Sequence, residues 1–182
     1  MTLALISGFV FVLFVAALFA SFIIPRRSGA PYLPTPSRAI KEALMQAGLK
    51  PGEKFYDLGA GTAPAIIMAD KAFGARAVGF EISPIIYAIA KIKLFLNRSN
   101  AELRFESLFN ADLRDADVVF SFLAKRVMQK VEDKLKKELR PGARVICYTF
   151  GLPTLTPDIE IPIRGGWKIL IYRMPGTIQE DK

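Results

Sequence analysis

Apolar residues recur along this chain with three different periods, and the changes of period mark its elements. From Leu3 to Ile24 there is neither period nor charge. Roughly 22 apolar or small residues stand in a row, about 33 Å at helical rise, which matches the thickness of a bilayer core. One transmembrane helix is expected there, within an anchor over residues 1–25. Ser28 to Pro36, SGAPYLPTP, is too rich in proline for a helix or a central strand, so residues 26–36 read as a stiff, extended linker. Ala39, Ile40, Ala43, Leu44 and Ala47 then recur at helical spacing. They predict an amphipathic helix over Ser37 to Ala47, with Thr35 as its cap, Pro36 at its first position and Gly48 as its stop.

After Pro51-Gly52, short apolar strands alternate with helical stretches. Strands are expected at Lys54 to Asp57, Ala77 to Glu81, Leu103 to Phe105, Asp117 to Phe122 and Arg144 to Thr149. Helices are expected at Ala63 to Phe73, Pro84 to Asn97 and Lys125 to Leu139. Such alternation requires crossover connections and so a parallel sheet covered by helices. Beyond Phe150 the period becomes two: Ile159, Ile161 and Ile163 alternate, Gly165-Gly166 offers a turn, and Trp167, Ile169 and Ile171 alternate again. The fold class is therefore α/β, a mostly parallel sheet ending in an antiparallel hairpin, in one domain over residues 37–182.

Composition narrows the chemistry. Histidine is absent and Cys147 is the single cysteine, which removes imidazole catalysis, a disulfide framework and the usual zinc ligand sets; no metal is expected. Cys147, between Ile146 and Tyr148, reads as buried packing. The net charge of +8 lies wholly after the apolar run. Arg26 and Arg27 follow that run and no cation precedes it, the reverse of a cleaved signal peptide. The positive-inside rule then puts the N-terminus outside and the domain on the cytoplasmic face, where its charge faces an anionic leaflet. Nucleic acid is not an expected partner, because the cations of Lys125 to Arg140 are interleaved with Glu132, Asp133 and Glu138 as on a solvated helix.

The stretch YDLGAGTAP, Tyr56 to Pro64, carries the chemistry. Gly59 and Gly61 follow the first strand, where an α/β sheet opens a crevice for ligands. A tight strand-to-helix turn alone would also use two glycines. A dinucleotide fingerprint would need a third glycine and would place no acid, here Asp57, beside a pyrophosphate. An acid suits a cationic ligand instead, and Glu81, ending the second strand, can accept both hydroxyls of a ribose. A cation with a ribose and no phosphate describes S-adenosylmethionine.

The residues DLGAGTA followed by VGFE resemble motifs I and II of the Rossmann-like, seven-strand class I methyltransferases. With PYLPTP upstream, EISP after the second strand and the apolar run in front, the chain resembles in particular the membrane-anchored protein lysine methyltransferases that modify the adenine nucleotide translocase or the ATP synthase c subunit. The resemblance implies that Asp57, Gly59 and Gly61 line the methionine end of S-adenosylmethionine, that Glu81 holds the ribose, that Ile82 flanks the adenine and that Ser107 stands near the adenine amine. Ala63-Pro64 departs from the family's pattern, which has glycine and then a polar residue there. Tyr32, Thr35, Ser121 and Phe122 are candidates for shaping the acceptor channel. The fourth strand ends in FSFLAK, without the Asn/Asp-Pro-Pro-Tyr of methyltransferases that act on amides or base amino groups. A lysine of a membrane protein is the expected acceptor. A lipid or quinone head group, and a non-catalytic S-adenosylmethionine-binding scaffold, are the alternatives.

Overall fold

The computed structural model describes residues 5–12, 15 and 34–175. Residues 5–12 are helical, and no helix among the described residues is long and apolar enough to cross a membrane. The rest of the expected anchor, with most of the linker and Tyr32, lies outside the described residues.

From Ser37 onward the chain forms a three-layer α/β domain. Helix α1 (Ser37–Gln46) is followed by β1 (Lys54–Asp57), α2 (Pro64–Phe73), β2 (Arg76–Glu81), α3 (Pro84–Leu96), β3 (Glu102–Phe105), β4 (Val118–Ser121), α4 (Met128–Glu138), β5 (Arg144–Tyr148), β6 (Ile159–Ile163) and β7 (Trp167–Arg173). The sheet order is β3-β2-β1-β4-β5-β7-β6, with β1 to β5 parallel and β7 antiparallel to both β5 and β6. The connection after β1 runs to β2 on one side, and β4 returns to the other side of β1. That reversal opens the crevice at the carboxyl ends of the strands.

Central strands are buried on both faces because helices cover both. Along β1, Phe55 enters the core shared with α1, α2 and α3, whereas Tyr56 enters the core shared with α4. Ile40 and Leu44 of α1, Ile66 of α2 and Leu94 of α3 fill the first layer; Met128, Val131 and Leu135 of α4 fill the second. Glu132 of α4 is fully buried, where its carboxylate pairs with Lys136 at 2.5 Å and accepts the Thr154 N–H at 2.9 Å, so its charge is satisfied.

Three sequence expectations need correction. Thr35 does not cap α1: the cap position is Pro36, no side chain bonds there, and the helix begins at Ser37 and ends one residue before Ala47. The helix expected over Lys125 to Leu139 is a 3-10 turn, Lys125–Val127, followed by α4. The fourth strand is shorter than expected at both ends. Asp117 stands before it, where its Oδ2 accepts the Lys54 N–H at 2.8 Å, and Phe122 has left the ladder to join an aromatic cluster. The hairpin stands as its alternation predicts, with Gly165 and Gly166 at φ 86° and 79°, values that only glycine adopts without strain.

Candidate active site

The crevice is built by the loop that turns β1 into α2. Asp57 ends β1, and its neighbour in register on β2 is Gly79, two residues before Glu81. Parallel pairing thus sets both carboxylates at the same edge of the sheet. Leu58 N–H is bonded to the Phe120 carbonyl on one side, and Ala60 N–H to the Phe80 carbonyl on the other, so the loop sits astride β4 and β2. Gly79 permits this seat: a Cβ there would lie 2.6 Å from the Ala60 Cβ. Gly61 has φ 53° and Ala63 φ 69°. Ala63 therefore occupies a left-handed position that glycine would hold more cheaply, and Pro64 follows as the first residue of α2, where it lacks only an N–H that the helix does not use.

The two acids converge on this loop. Asp57 is 3% exposed, and its Oδ1 accepts the Gly59 N–H at 3.1 Å. Glu81 is clamped through both oxygens, Oε2 by the Gly61 N–H at 3.0 Å and Oε1 by the Ser83 N–H at 2.7 Å. Burial pushes the Asp57 carboxyl up to about 7, partly offset by the Gly59 hydrogen bond and reinforced by the negative charge of Glu81. Burial also raises Glu81, against the N–H groups of Ser83, Ile82 and Gly61. Ile82 is half-buried between these groups, and the Ser83 hydroxyl is buried without a partner among the described residues. Ser107 lies two residues beyond the end of β3, beside Glu81's strand; its Oγ accepts the Phe109 N–H at 3.3 Å and its hydrogen remains available.

This donor set suits S-adenosylmethionine. Two acids stand at the loop with no cation bonded to either among the described residues, the Glu81 carboxylate is held by two backbone N–H groups, and the glycine turn follows β1 at the crevice. A phosphate-bearing ligand would meet two negative charges instead.

On the other side of the loop the strand ends carry features that sequence reasoning reached only in part. Ser121 ends β4 and Thr149 follows β5, and both hydroxyls are buried without a partner among the described residues. Thr149 has φ 74°, an uncommon conformation for a β-branched residue, held by its N–H bond to the Lys168 carbonyl at 2.7 Å. At the same strand ends, Phe122 meets Tyr148 edge-on at 4.9 Å and Trp167 edge-on at 5.8 Å, and Trp167 stacks on Tyr148 at 5.7 Å. Of the four acceptor-channel candidates, Phe122 joins this cluster and Ser121 precedes it as the last residue of β4. Thr35 stands ahead of α1, which packs on α2 and β7. Tyr148, Thr149 and Trp167 were missed: they meet only because β7 inserts beside β5, and the alternation around Trp167 signals a strand, not a rim. Cys147 is buried mid-strand with its thiol pushed well above the usual range by burial, as packing requires.

The comparisons with known proteins agree with this geometry. Residues 57–159 match the ANTKMT methyltransferase domain model. The chain is 34% identical over 139 residues to a protein-lysine N-methyltransferase of Saccharolobus islandicus, covering 75% of this chain and 86% of that protein. It is 33% identical over 156 residues to the mouse adenine nucleotide translocase lysine N-methyltransferase, covering 85% and 67%. Among solved structures it is similar to an RNA methyltransferase from Salinibacter ruber in complex with S-adenosyl-L-homocysteine, at TM-score 0.77 and 31% identity, covering 82% of this chain and 98% of that one. The strand order, the paired acids around the glycine turn and these matches together make the chain a member of the ANTKMT methyltransferase domain family, the S-adenosylmethionine-dependent methyltransferases.

Proposed function

We propose that this protein methylates the side-chain amine of a lysine in a membrane protein, from a domain tethered to the cytoplasmic face by residues 1–25. The observation that carries the acceptor is the aromatic cluster of Phe122, Tyr148 and Trp167 at the carboxyl ends of β4 and β5, the sheet edge that also holds Asp57. Lysine names on both sequence relatives support it. The uncharged run before Arg26 supports the tether.

Bound S-adenosylmethionine supplies an electrophilic methyl group on a cationic sulfur, so the protein must align a nucleophile and keep water out. Asp57 would face the cationic methionine end, Glu81 would take the ribose hydroxyls, Ile82 would flank the adenine and Ser107 would bond its amine. The acceptor lysine passes over Trp167 and Phe122, whose rings cover its methylenes and favour its cationic form on entry. Deeper in, burial would disfavour the ammonium, and the Ser121 and Thr149 hydroxyls, at the carboxyl ends of β4 and β5, would be hydrogen-bond acceptors for the neutral amine. The proton leaves to water at the rim, which makes the absence of histidine tolerable. Thr35, ahead of α1, would be the described linker residue that helps shape the acceptor channel.

The test incubates the full chain with tritiated S-adenosylmethionine and membranes. Label that yields methyl-lysine after proteolysis supports the proposal. Label extracted with lipid favours a quinone or lipid head group, label released by ribonuclease favours the acceptor class named for the Salinibacter protein, and binding without label favours a scaffold. Trp167→Ala is expected to raise KM for the lysine acceptor roughly 5- to 20-fold, as loss of aromatic and cation–π contact implies. Calorimetry with S-adenosylhomocysteine should show cofactor affinity within about twofold of wild type, since Trp167 is remote from the acids.

A further inference from the structure

Helix α3 breaks the pattern of its neighbours. The outward faces of α1 and α4 are mostly polar, carrying Arg38 and Lys41 beside a single exposed Met45, and Gln129, Lys130 and Asp133. By contrast, α3 buries only Ala90 and Leu94 fully and turns Ile92, Phe95 and Leu96 to the outside at 59%, 82% and 71% exposure, with Ile89 on the same stripe. Spacing of i, i+3 and i+7 sets Ile89, Ile92 and Leu96 on one line opposite the core, and Phe105 at the end of β3 extends the apolar surface to the sheet edge. Lys91 borders this stripe on one flank and makes no ion pair among the described residues; Lys71 and Arg98 meet at its end, where Lys71 Nζ reaches the Arg98 carbonyl at 3.4 Å. Asp70 in that region is engaged with the Ser99 hydroxyl at 2.6 Å and the Asn100 N–H at 2.9 Å.

We propose that the outward stripe of α3 lies in the boundary between head groups and acyl chains of the bilayer, with Lys91, Lys71 and Arg98 in the anionic head-group layer. This rests on the reading of residues 1–25 as an anchor. An apolar stripe flanked by cations is the pattern of an interfacial helix, whose long basic side chains reach outward to the head groups. A linker of about ten residues reaches at most ~35 Å, so the domain stays close enough for the stripe to touch the surface. The stripe could not serve instead as the seat of the chain's own apolar run. That run is apolar all round and roughly 33 Å long as a helix, whereas α3 is about 20 Å long and offers one line of side chains. With α3 docked, its first residues, next to Glu81 and Ser83, fix the crevice at a set height beside membrane-embedded lysines.

The full chain carrying Phe95→Cys, Ile92→Cys or, on the opposite layer, Gln129→Cys is labelled with bimane; buried Cys147 is left unlabelled. Each is reconstituted in vesicles of phosphatidylcholine with a minor share of phosphatidylglycerol, with or without brominated acyl chains. Brominated chains are expected to quench bimane at positions 92 and 95 roughly threefold or more beyond position 129, given an insertion of ~5–10 Å. Equal quenching at all three would overturn the proposal. Flotation that survives alkaline carbonate reads out the anchor separately: chains that float with equal quenching refute α3 docking alone, and chains that neither float nor quench refute both readings. As a second measurement, Ile92→Glu combined with Phe95→Glu should reduce methylation of the membrane-embedded acceptor roughly tenfold while S-adenosylhomocysteine affinity stays within about twofold. Undiminished methylation would count against docking.

Discussion

Asp57→Asn is expected to make the protein without its cofactor more stable at pH 8 and, at the same time, to bind S-adenosylmethionine at least tenfold more weakly. The Asp57 carboxyl is pushed up to about 7 in the fold by burial, against an ordinary 3.8 in the unfolded chain. Between those two values the native state holds a proton that the unfolded state has lost, so stability falls as pH rises from about 4 to 7 and stays low above. The full penalty is on the order of 4 kcal/mol above pH 7, since the pKa rises by about three units and each unit is about 1.4 kcal/mol. Asparagine removes the charge, keeps the size and keeps an oxygen for the Gly59 N–H. Calorimetric Tm should therefore rise by roughly 5–12 °C at pH 8 and by little at pH 4, where wild-type Asp57 is already neutral. An equal rise at both pH values would mean that charge burial is not the cause. With ligand, the order reverses. A cationic methionine end favours ionised Asp57, so wild-type affinity should fall as pH drops below about 7, while the Asn variant shows no such dependence. The site thus holds a charge that weakens the empty fold and becomes useful when a cation arrives.

The same pair of acids explains what could be read in advance. Asp57 and Glu81 each end an apolar run, and parallel strands joined by a right-handed crossover bring such ends together, so their convergence follows from period and punctuation alone. Boundaries were less legible where side chains compete with the ladder. Asp117 and Phe122 continue an apolar-looking run, yet the first spends its carboxylate on the Lys54 N–H and the second turns into the aromatic cluster, and neither choice is written in periodicity. The Thr35 cap failed for a related reason. A threonine before a proline is an adequate capping pattern, but the helix here starts after Pro36 and Thr35 is left outside it. The rim formed by Tyr148, Thr149 and Trp167 was beyond reach because it depends on β7 lying between β5 and β6. Unpartnered hydroxyls at Ser83, Ser121 and Thr149 are likewise a property of burial, which composition does not encode.

Glu81 should prove the least replaceable residue for cofactor binding, and the reason is the way it is held. Its Oε2 accepts the Gly61 N–H and its Oε1 the Ser83 N–H, with the Ile82 N–H also directed at the carboxylate, which leaves acceptor capacity for the ribose diol. Glu81→Ala removes two charge-assisted bonds to the ligand and also leaves two loop N–H groups without their acceptor, so an affinity loss of roughly 100-fold, about 2.7 kcal/mol, is expected. Glu81→Gln should do nearly as badly. An amide has one oxygen and one NH2, so either the Gly61 or the Ser83 N–H would face another donor, and one ribose hydroxyl would lose its acceptor. The specific test pairs the variants with a cofactor product lacking the 2′-hydroxyl. In wild type its removal should cost roughly tenfold in affinity by calorimetry, and in Glu81→Ala it should cost almost nothing, because the partner is already gone. If the deoxy penalty is the same size in both proteins, the diol is held by another group, and Glu81 serves only to shape the glycine turn.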